Sequence, residues 1–286
     1  VESFEAYRPY LFSIAYRMLG SAMDAEDMVQ ETYIRYQTAS SQTIHSLKAY
    51  LTTILVRLCM DQLQLARRKR ELYIGPWLPE PILTEDMPEA ADPETRVETE
   101  ESISLAFLVL LEQLQPFERA VFLLREVFEY EFVEIAGILG KTETACRRSF
   151  SRAKQHLIER RPRFSPVPET HQQLLTSFLE AVQSGDMTAL ANLLSTNVVL
   201  WADGGGKART ATLRPIYGRE HVVRLCLRSK HFWPESIRFE LREVNGGMAL
   251  VGRVDDLAWN VIAMDIAQGQ IQEIRIIANP EKLTRV

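Results

Sequence analysis

A helix, one glycine and a second helix loaded with arginine set the strongest limit on what this chain can fold into. In Glu129-Tyr130-Glu131-Phe132-Val133-Glu134-Ile135-Ala136-Gly137-Ile138-Leu139-Gly140, the residues Ile135, Ala136, Ile138 and Leu139 form the apolar side of a short helix. Ala136 is small enough for a second helix to pack close, and Gly140 supplies the tight turn of a helix-turn-helix. Thr142 is placed to cap the following helix. There Ala145, Phe150 (or Ser149), Ala153 and Leu157 line one side, while Thr144, Arg147, Arg148, Ser151 and Arg152 line the other, with Lys154 beside them. Short polar groups near a helix N-terminus, with arginines for base edges and phosphates, are what insertion into a major groove requires. Residues 141–163 hold eight bases against two acids, more than a merely solvated face needs.

A net charge of −5 is at first sight wrong for a DNA binder. Residues 71–104 resolve the conflict, with ten acids against one base, whereas residues 1–70 hold nine bases to seven acids and residues 105–163 ten to eight. The acid is concentrated in one linker, and the flanking segments carry their bases near their C-terminal ends. Pro76, Pro79, Pro81, Pro88 and Pro93 stiffen that linker, whose composition cannot make a packed core. No apolar run approaches the roughly 20 residues that span a bilayer, and the N-terminus has no signal core. The three cysteines, Cys59, Cys146 and Cys226, are far apart and lack metal-ligand spacing. The expectation is a cytoplasmic protein with free thiols, without metal, cofactor or membrane contact.

Helical spacing runs from Phe4 to about Gly20, then from an N-cap expected at Asp24 to about Tyr36, and from Leu47 to Arg70. The polar stretch Thr38 to Ser46 reads as a loop. Helical pattern returns at about Thr99, and Pro116 opens a further helix at its first turn. After about Thr170 two helices, His171 to Ser184 and Met187 to Leu194, precede strand-like runs at 198–201, 236–241, 248–254, 259–266 and 271–277. Turn signals separate these runs at Asn245-Gly246-Gly247 and Gln268-Gly269-Gln270. Helices followed by strands indicate an α+β unit.

The run Ser149-Phe150-Ser151-Arg152-Ala153-Lys154-Gln155-His156-Leu157 resembles the promoter-reading helix of extracytoplasmic-function sigma factors. Asp24-Ala25-Glu26-Asp27-Met28-Val29-Gln30-Glu31-Thr32 is similar to that family's polymerase-binding helix. Ala49-Tyr50-Leu51 through Asp61-Gln62-Leu63, with Arg67-Arg68-Lys69-Arg70, is similar to its DNA-melting helix. The resemblance implies that Asp24, Glu26, Asp27, Gln30 and Glu31 face core polymerase, and the i, i+4 spacing within this set makes one polar stripe. It implies that Lys48, Arg57, Arg67, Arg68 and Arg70 meet phosphates at the minus-ten element, and that the loop Ser40 to Ser46 holds a flipped base. Leu58 and Ser149 depart from the polar residue and the arginine common at those places.

Three further motifs resemble a subgroup of the same family that carries a fused SnoaL-like domain of the NTF2-like fold. They are Trp77-Leu78-Pro79-Glu80-Pro81, Asp203-Gly204-Gly205-Gly206-Lys207, and Asn279-Pro280-Glu281-Lys282-Leu283. The first is stiff, with a large apolar anchor, and suits a groove. The glycines fit either a flexible hairpin tip or a place of close backbone approach. Asp203, His221, His231, Asp255 and Asp265 are acid–base candidates without diagnostic spacing.

The expected fold class is multidomain, with two all-α sigma domains, the second a helix-turn-helix, and a C-terminal α+β NTF2-like cone. The expected boundaries are 1–70, an acidic linker at 71–104, 105–163 and 164–286. The resemblance implies a non-enzymatic sigma factor that directs core RNA polymerase to promoter DNA. Its fused domain would contact the sigma domains and the linker and control activity in cis. The tail at Asn279 to Leu283 would take part in that activity.

Overall fold

The computed structural model describes residues 3–38, 46–70, 72–87, 103–158, 168–208 and 211–286. They form two compact units, residues 1–71 with 87–161, and residues 72–86 with 162–286. The acidic linker therefore divides: its first half belongs to the C-terminal unit, and residues 88–102, including the expected helix start at Thr99, lie outside the described residues.

In the first unit α1 (Phe4–Leu19) ends at Gly20, whose φ of 68° no β-carbon opposes and whose N–H reaches Tyr16 O at 2.7 Å. α2 (Ala22–Thr38) begins earlier than expected. Ser21 rather than Asp24 caps it, with the Asp24 N–H donating to Ser21 Oγ at 3.2 Å, because a serine directly after the turn glycine reaches the open amides first. α3 (Leu47–Arg70) completes a three-helix layer. Leu11, Ile14 and Met18 of α1 and Leu51 and Leu55 of α3 are fully buried, each contributing about 1.5–3 kcal/mol.

α4 (Leu105–Leu111) is capped by Ser104. α5 (Pro116–Glu126) starts with proline at its first turn inside a Gln115/Glu118 capping box. α6 (Phe132–Leu139) has a Glu131/Glu134 box and stops at Gly140, φ 62°. In α7 (Glu143–Ile158) the Ala145 N–H donates to Thr142 Oγ1 at 3.2 Å, so the expected cap is present.

The second unit contains α8 (Pro168–Ser184), α9 (Met187–Leu193), α10 (Arg219–Ser229) and six strands: β1 (Leu194–Asp203), β2 (Ile216–Tyr217), β3 (Arg238–Val244), β4 (Gly247–Val254), β5 (Leu257–Ala267) and β6 (Gln270–Ile277). The order is β2-β1-β6-β5-β4-β3, with only β1 and β6 parallel. The α+β class is as expected. The sequence pattern missed β2 and α10, and it cut β1 short because the polar Ser195, Thr196 and Asn197 mask its first half.

Tight hairpins join β3 to β6. Asn245-Gly246, Asp255-Asp256 and Gln268-Gly269 all hold positive φ at both central residues, the twist that two-residue hairpins require. Register shifts at Gly252/Arg253 and Asp265/Ile266 bend the sheet. Leu175, Phe178 and Val182 of α8 and Val222, Val223 and Cys226 of α10 pack on one face against Val198, Leu200, Ile262, Met264 and Ile274. Strand alternation turns Val199, Trp201 and Asp203 to the opposite face. Among the described residues no helix is long and apolar enough to cross a membrane.

Candidate functional site

The helix-turn-helix presents its polar side outward. Thr144, Arg147, Arg148, Ser151, Arg152 and Lys154 are all exposed, while Cys146, Ser149, Ala153 and Leu157 are buried. Ser149 is fully enclosed, and Phe150 stacks on Phe122 and meets Phe132 edge-on, with centroids at 6.0 and 5.6 Å. Both inward alternatives are thus used, and Cys146 is a core residue the sequence pattern did not select. Position 149 faces the core, so an arginine there would not reach a groove from this backbone.

The exposed cations are lightly held. Arg147 pairs with Glu143 at 2.6 Å, Arg152 with Glu118 at 3.2 Å and Lys154 with Glu126 at 3.3 Å. Surface pairs of this kind contribute about 0–1 kcal/mol, so a phosphate can displace them. Arg148 has no ion-pair partner among the described residues.

On α2, Glu26, Asp27 and Gln30 are exposed on one stripe beside the exposed Met23 and Ile34. Asp24 accepts from Gln62 Nε2 at 3.3 Å and Glu31 pairs with Arg35 at 2.8 Å, so these two are partly engaged within the unit. On α3, Arg57 and Lys48 are exposed, but Leu58 is core at 7% exposure. The α3 helix continues through Arg67, Arg68 and Arg70, whose side chains, like the expected loop at 39–45, lie outside the described residues.

In the second unit the three sequence motifs meet at Asp203. This carboxylate is wholly buried at the end of β1. Its Oδ1 accepts from Tyr73 Oη at 2.6 Å and from the Gly205 N–H at 3.1 Å; its Oδ2 accepts from the Leu78 N–H at 2.8 Å and from Lys282 Nζ at 2.7 Å. Lys282 also donates to Leu78 O and stands over the Trp77 ring at 4.1 Å and the Tyr73 ring at 5.2 Å. A buried ion pair is sustained only when its remaining hydrogen-bonding capacity is met, and here each partner has further polar contacts. Burial first, then the Asp203 carboxylate, hold the Tyr73 phenol above its ordinary pKa range, so it stays a donor.

The glycines are a place of close approach. Gly205, φ 57°, would put a β-carbon 2.5 Å from Asn279 Nδ2; Gly206, φ 74°, would put one 2.9 Å from Ile74. Asn279 Nδ2 in turn donates to Tyr73 Oη at 3.0 Å, and Lys207 pairs with Glu281. Downstream, Leu78, Pro79, Glu80, Pro81, Ile82 and Leu83 are buried. Asn245 grips Ile82 from both sides, its Oδ1 accepting from Ile82 N at 3.0 Å and its N–H donating to Ile82 O at 3.0 Å. Leu83 forms a bridge with Val244 on the edge strand β3, and its N–H donates to Arg285 O at 3.2 Å.

Residues 73–86 are thus a strap docked on the C-terminal fold. Tyr73 carries no signal in the sequence. Asn245 was legible only as a turn residue, because its second use depends on a segment more than 160 positions away. Pro280 is exposed and Leu283 buried in the same tail. His221, His231 and Asp255 are exposed and Asp265 pairs with Arg275 at 2.8 Å, so the acid–base candidates do not converge.

A helix-turn-helix with an exposed basic face, a separate acid-striped helix and a strapped α+β unit match the parts of a transcription-initiation protein. Comparison gives the particular family. Sigma-70 region 2 matches residues 3–70 and Sigma-70, region 4 matches residues 104–157. ECF RNA polymerase sigma factor SigJ of Mycobacterium tuberculosis is 34% identical over 294 residues, covering 99% of this chain and 93% of that protein. Probable ECF RNA polymerase sigma factor SigI of the same species is 31% identical over 283 residues, covering 98% and 93%. The crystal structure of SigJ superposes with a TM-score of 0.76 at 33% identity, over 99% of this chain and 97% of that one. The chain belongs to the extracytoplasmic-function RNA polymerase sigma factors.

Proposed function

We propose that this sigma factor is governed in cis by its own C-terminal unit, acting through the strap. Exposed Glu26, Asp27 and Gln30, with Asp24 and Glu31 beside them, form the surface for core polymerase. Lys48, Arg57, Arg67, Arg68 and Arg70 serve the minus-ten element. Thr144, Arg147, Arg148, Ser151, Arg152 and Lys154 serve the minus-thirty-five element, where arginines would make bidentate contacts to guanine or phosphate. The protein works without catalysis, in the cytoplasm, with core polymerase and promoter DNA as partners, and its C-terminal unit meets the sigma domains as well as the strap.

The observation that carries the regulatory reading is the convergence of Trp77 to Pro81, Asp203 to Lys207 and Asn279 to Leu283 on one buried carboxylate. The acidic linker would lie in the polymerase's RNA-exit path, where negative charge mimics nucleic acid. A segment that threads a polymerase channel cannot at the same time be buried on β3 and the C-terminal tail. Docking and initiation therefore compete for residues 73–86. The test is transcription in vitro with core enzyme and a genomic promoter library, comparing the full chain with Asp203→Ala and Lys282→Met. The reading expects promoter-dependent transcripts from all three and more from the variants. Equal output would remove the strap from control, and no transcript from any of them would count against the sigma assignments.

A further inference from the structure

We propose that Arg147 is the guanine reader of the helix-turn-helix, set in place by Glu143 and Phe132, and that its neighbour Arg148 serves a phosphate. The proposal rests on the minus-thirty-five reading above for the duplex, and on the following contacts for the division of labour. Arg147 stands in the second turn of α7 and is exposed. Its Nε and Nη2 both donate to Glu143 Oε1, at 2.9 and 2.6 Å. Its guanidinium carbon lies 4.5 Å from the centre of the Phe132 ring, inside the range of a cation–π contact. Phe132 opens α6, is 9% exposed, and meets Phe150 of α7 edge-on at 5.6 Å. The ring therefore belongs to the core that joins the two helices. Through it the guanidinium is tied to that core as well as to its own helix.

A guanidinium carries five N–H groups. Glu143 takes one on Nε and one on Nη2, which leaves the Nη1–Nη2 edge open. That edge is the fork that matches guanine O6 and N7 in a major groove. A fork already ordered by a carboxylate and a ring loses little further freedom when it docks. Charge then separates base from phosphate. The Glu143 carboxylate balances the Arg147 cation and repels an approaching phosphate, whereas guanine offers acceptors without net charge. Arg148, one residue on, is exposed and has no ion-pair partner among the described residues. Its charge is unbalanced, which suits a phosphate, a contact that holds the duplex without reading it. An acid on a DNA-facing helix weakens binding to any duplex; at position 143 its use is to orient Arg147.

The test uses the full chain assembled with core polymerase and a library of duplexes randomised over the minus-thirty-five segment. The bound fraction is sequenced at several salt concentrations. The wild type should select guanine at one position by roughly 5- to 150-fold, the range for one bidentate pair. Arg147→Ala should remove that preference and leave the rest of the selected sequence. Arg148→Ala should keep the guanine, weaken all sequences alike and lower the salt slope by about one. Glu143→Gln, at an exposed position, should reduce the guanine preference and raise the salt slope by about one, because Arg147 then accepts a phosphate. Phe132→Leu should cut the preference by roughly 2- to 5-fold, the range for an exposed cation–π contact, without moving the slope. A guanine preference that survives Arg147→Ala, or that Glu143→Gln leaves at its wild-type size, would overturn the proposal while the minus-thirty-five reading stands. So would a uniform loss with a shallower salt slope in Arg147→Ala, the mark of a phosphate contact. No selected sequence for the wild type would remove that reading and the proposal with it.

Discussion

Replacing Asp203 with alanine is the most informative single change. The carboxylate is inaccessible and the Lys282 side chain is 11% exposed, so the ammonium would be left enclosed, with Leu78 O and two rings for company. Breaking one side of such a pair costs about 3–5 kcal/mol. At about 1.4 kcal/mol per power of ten, the docked strap would open roughly two to three and a half powers of ten more often. The penalty falls on the strap because Tyr73 and Leu78 both donate to Asp203 and the strap's Leu78 O also accepts from Lys282. Native-state hydrogen exchange at the Leu78 and Ile82 amides reads this directly, since both are bonded to the C-terminal fold in the docked state. Amides of β5 and α1 should keep their protection. Adding Lys282→Met to Asp203→Ala removes the stranded charge, and the double variant should exchange more slowly than the single one. Unchanged protection of Leu78 in Asp203→Ala would refute the reasoning. So would a double variant in which the two losses simply add, because the two groups would then not be coupled.

Three other outcomes are expected. Gly205→Ala should destabilise docking by about 1–3 kcal/mol, since it combines a positive φ with a β-carbon 2.5 Å from Asn279 Nδ2; Gly185→Ala, also positive in φ but with open space around it, is the control in a thermal-unfolding comparison. In the second unit Asp265→Asn should cost about 1–3 kcal/mol, because Arg275, whose side chain is 5% exposed, loses one charged partner and keeps Glu273. Glu273→Gln should be neutral or stabilising at pH 7. Burial first, against the pull of Arg275, raises the Glu273 pKa in the folded state, so stability falls as pH rises from the ordinary carboxylate value through the raised one; the Gln variant should lose that slope in a pH series of denaturation curves. The thiols of Cys59 and Cys226, driven up by burial, the latter to about 12, should resist maleimide at about pH 8 in the native chain and react on unfolding.

The sequence was most legible where a few neighbouring residues decide the outcome. Gly140, Thr142 and the 3.6-residue spacing of α7 fix a turn, a cap and a polar face without reference to anything distant. The exposed stripe of Glu26, Asp27 and Gln30 on α2 follows from the same periodicity. Local reading failed where two local rules compete. Ser21 and Asp24 are both good caps, and only the position of Gly20 selects Ser21. It failed again at β1, whose polar start, Ser195 to Asn197, falls in the register irregularity against β6 between Leu194 and Val199.

Periodicity could place Arg57 on an exposed side of α3, but not against Ile138 O, 81 positions on. It could mark Asp203 and three glycines as unusual, but by itself it favoured a flexible tip over the tight approach that the structure has. By itself, then, the sequence determined the class of each segment and the polar face of the DNA-reading helix, because hydrogen bonding and side-chain direction within a helix are set by residues three or four apart. Only the tertiary structure decided that a carboxylate at the end of β1 would bind a phenol 130 residues upstream and an ammonium 79 residues downstream. That pairing exists because chain folding expels water from the site, and a charge without water must find its partners wherever the fold brings them.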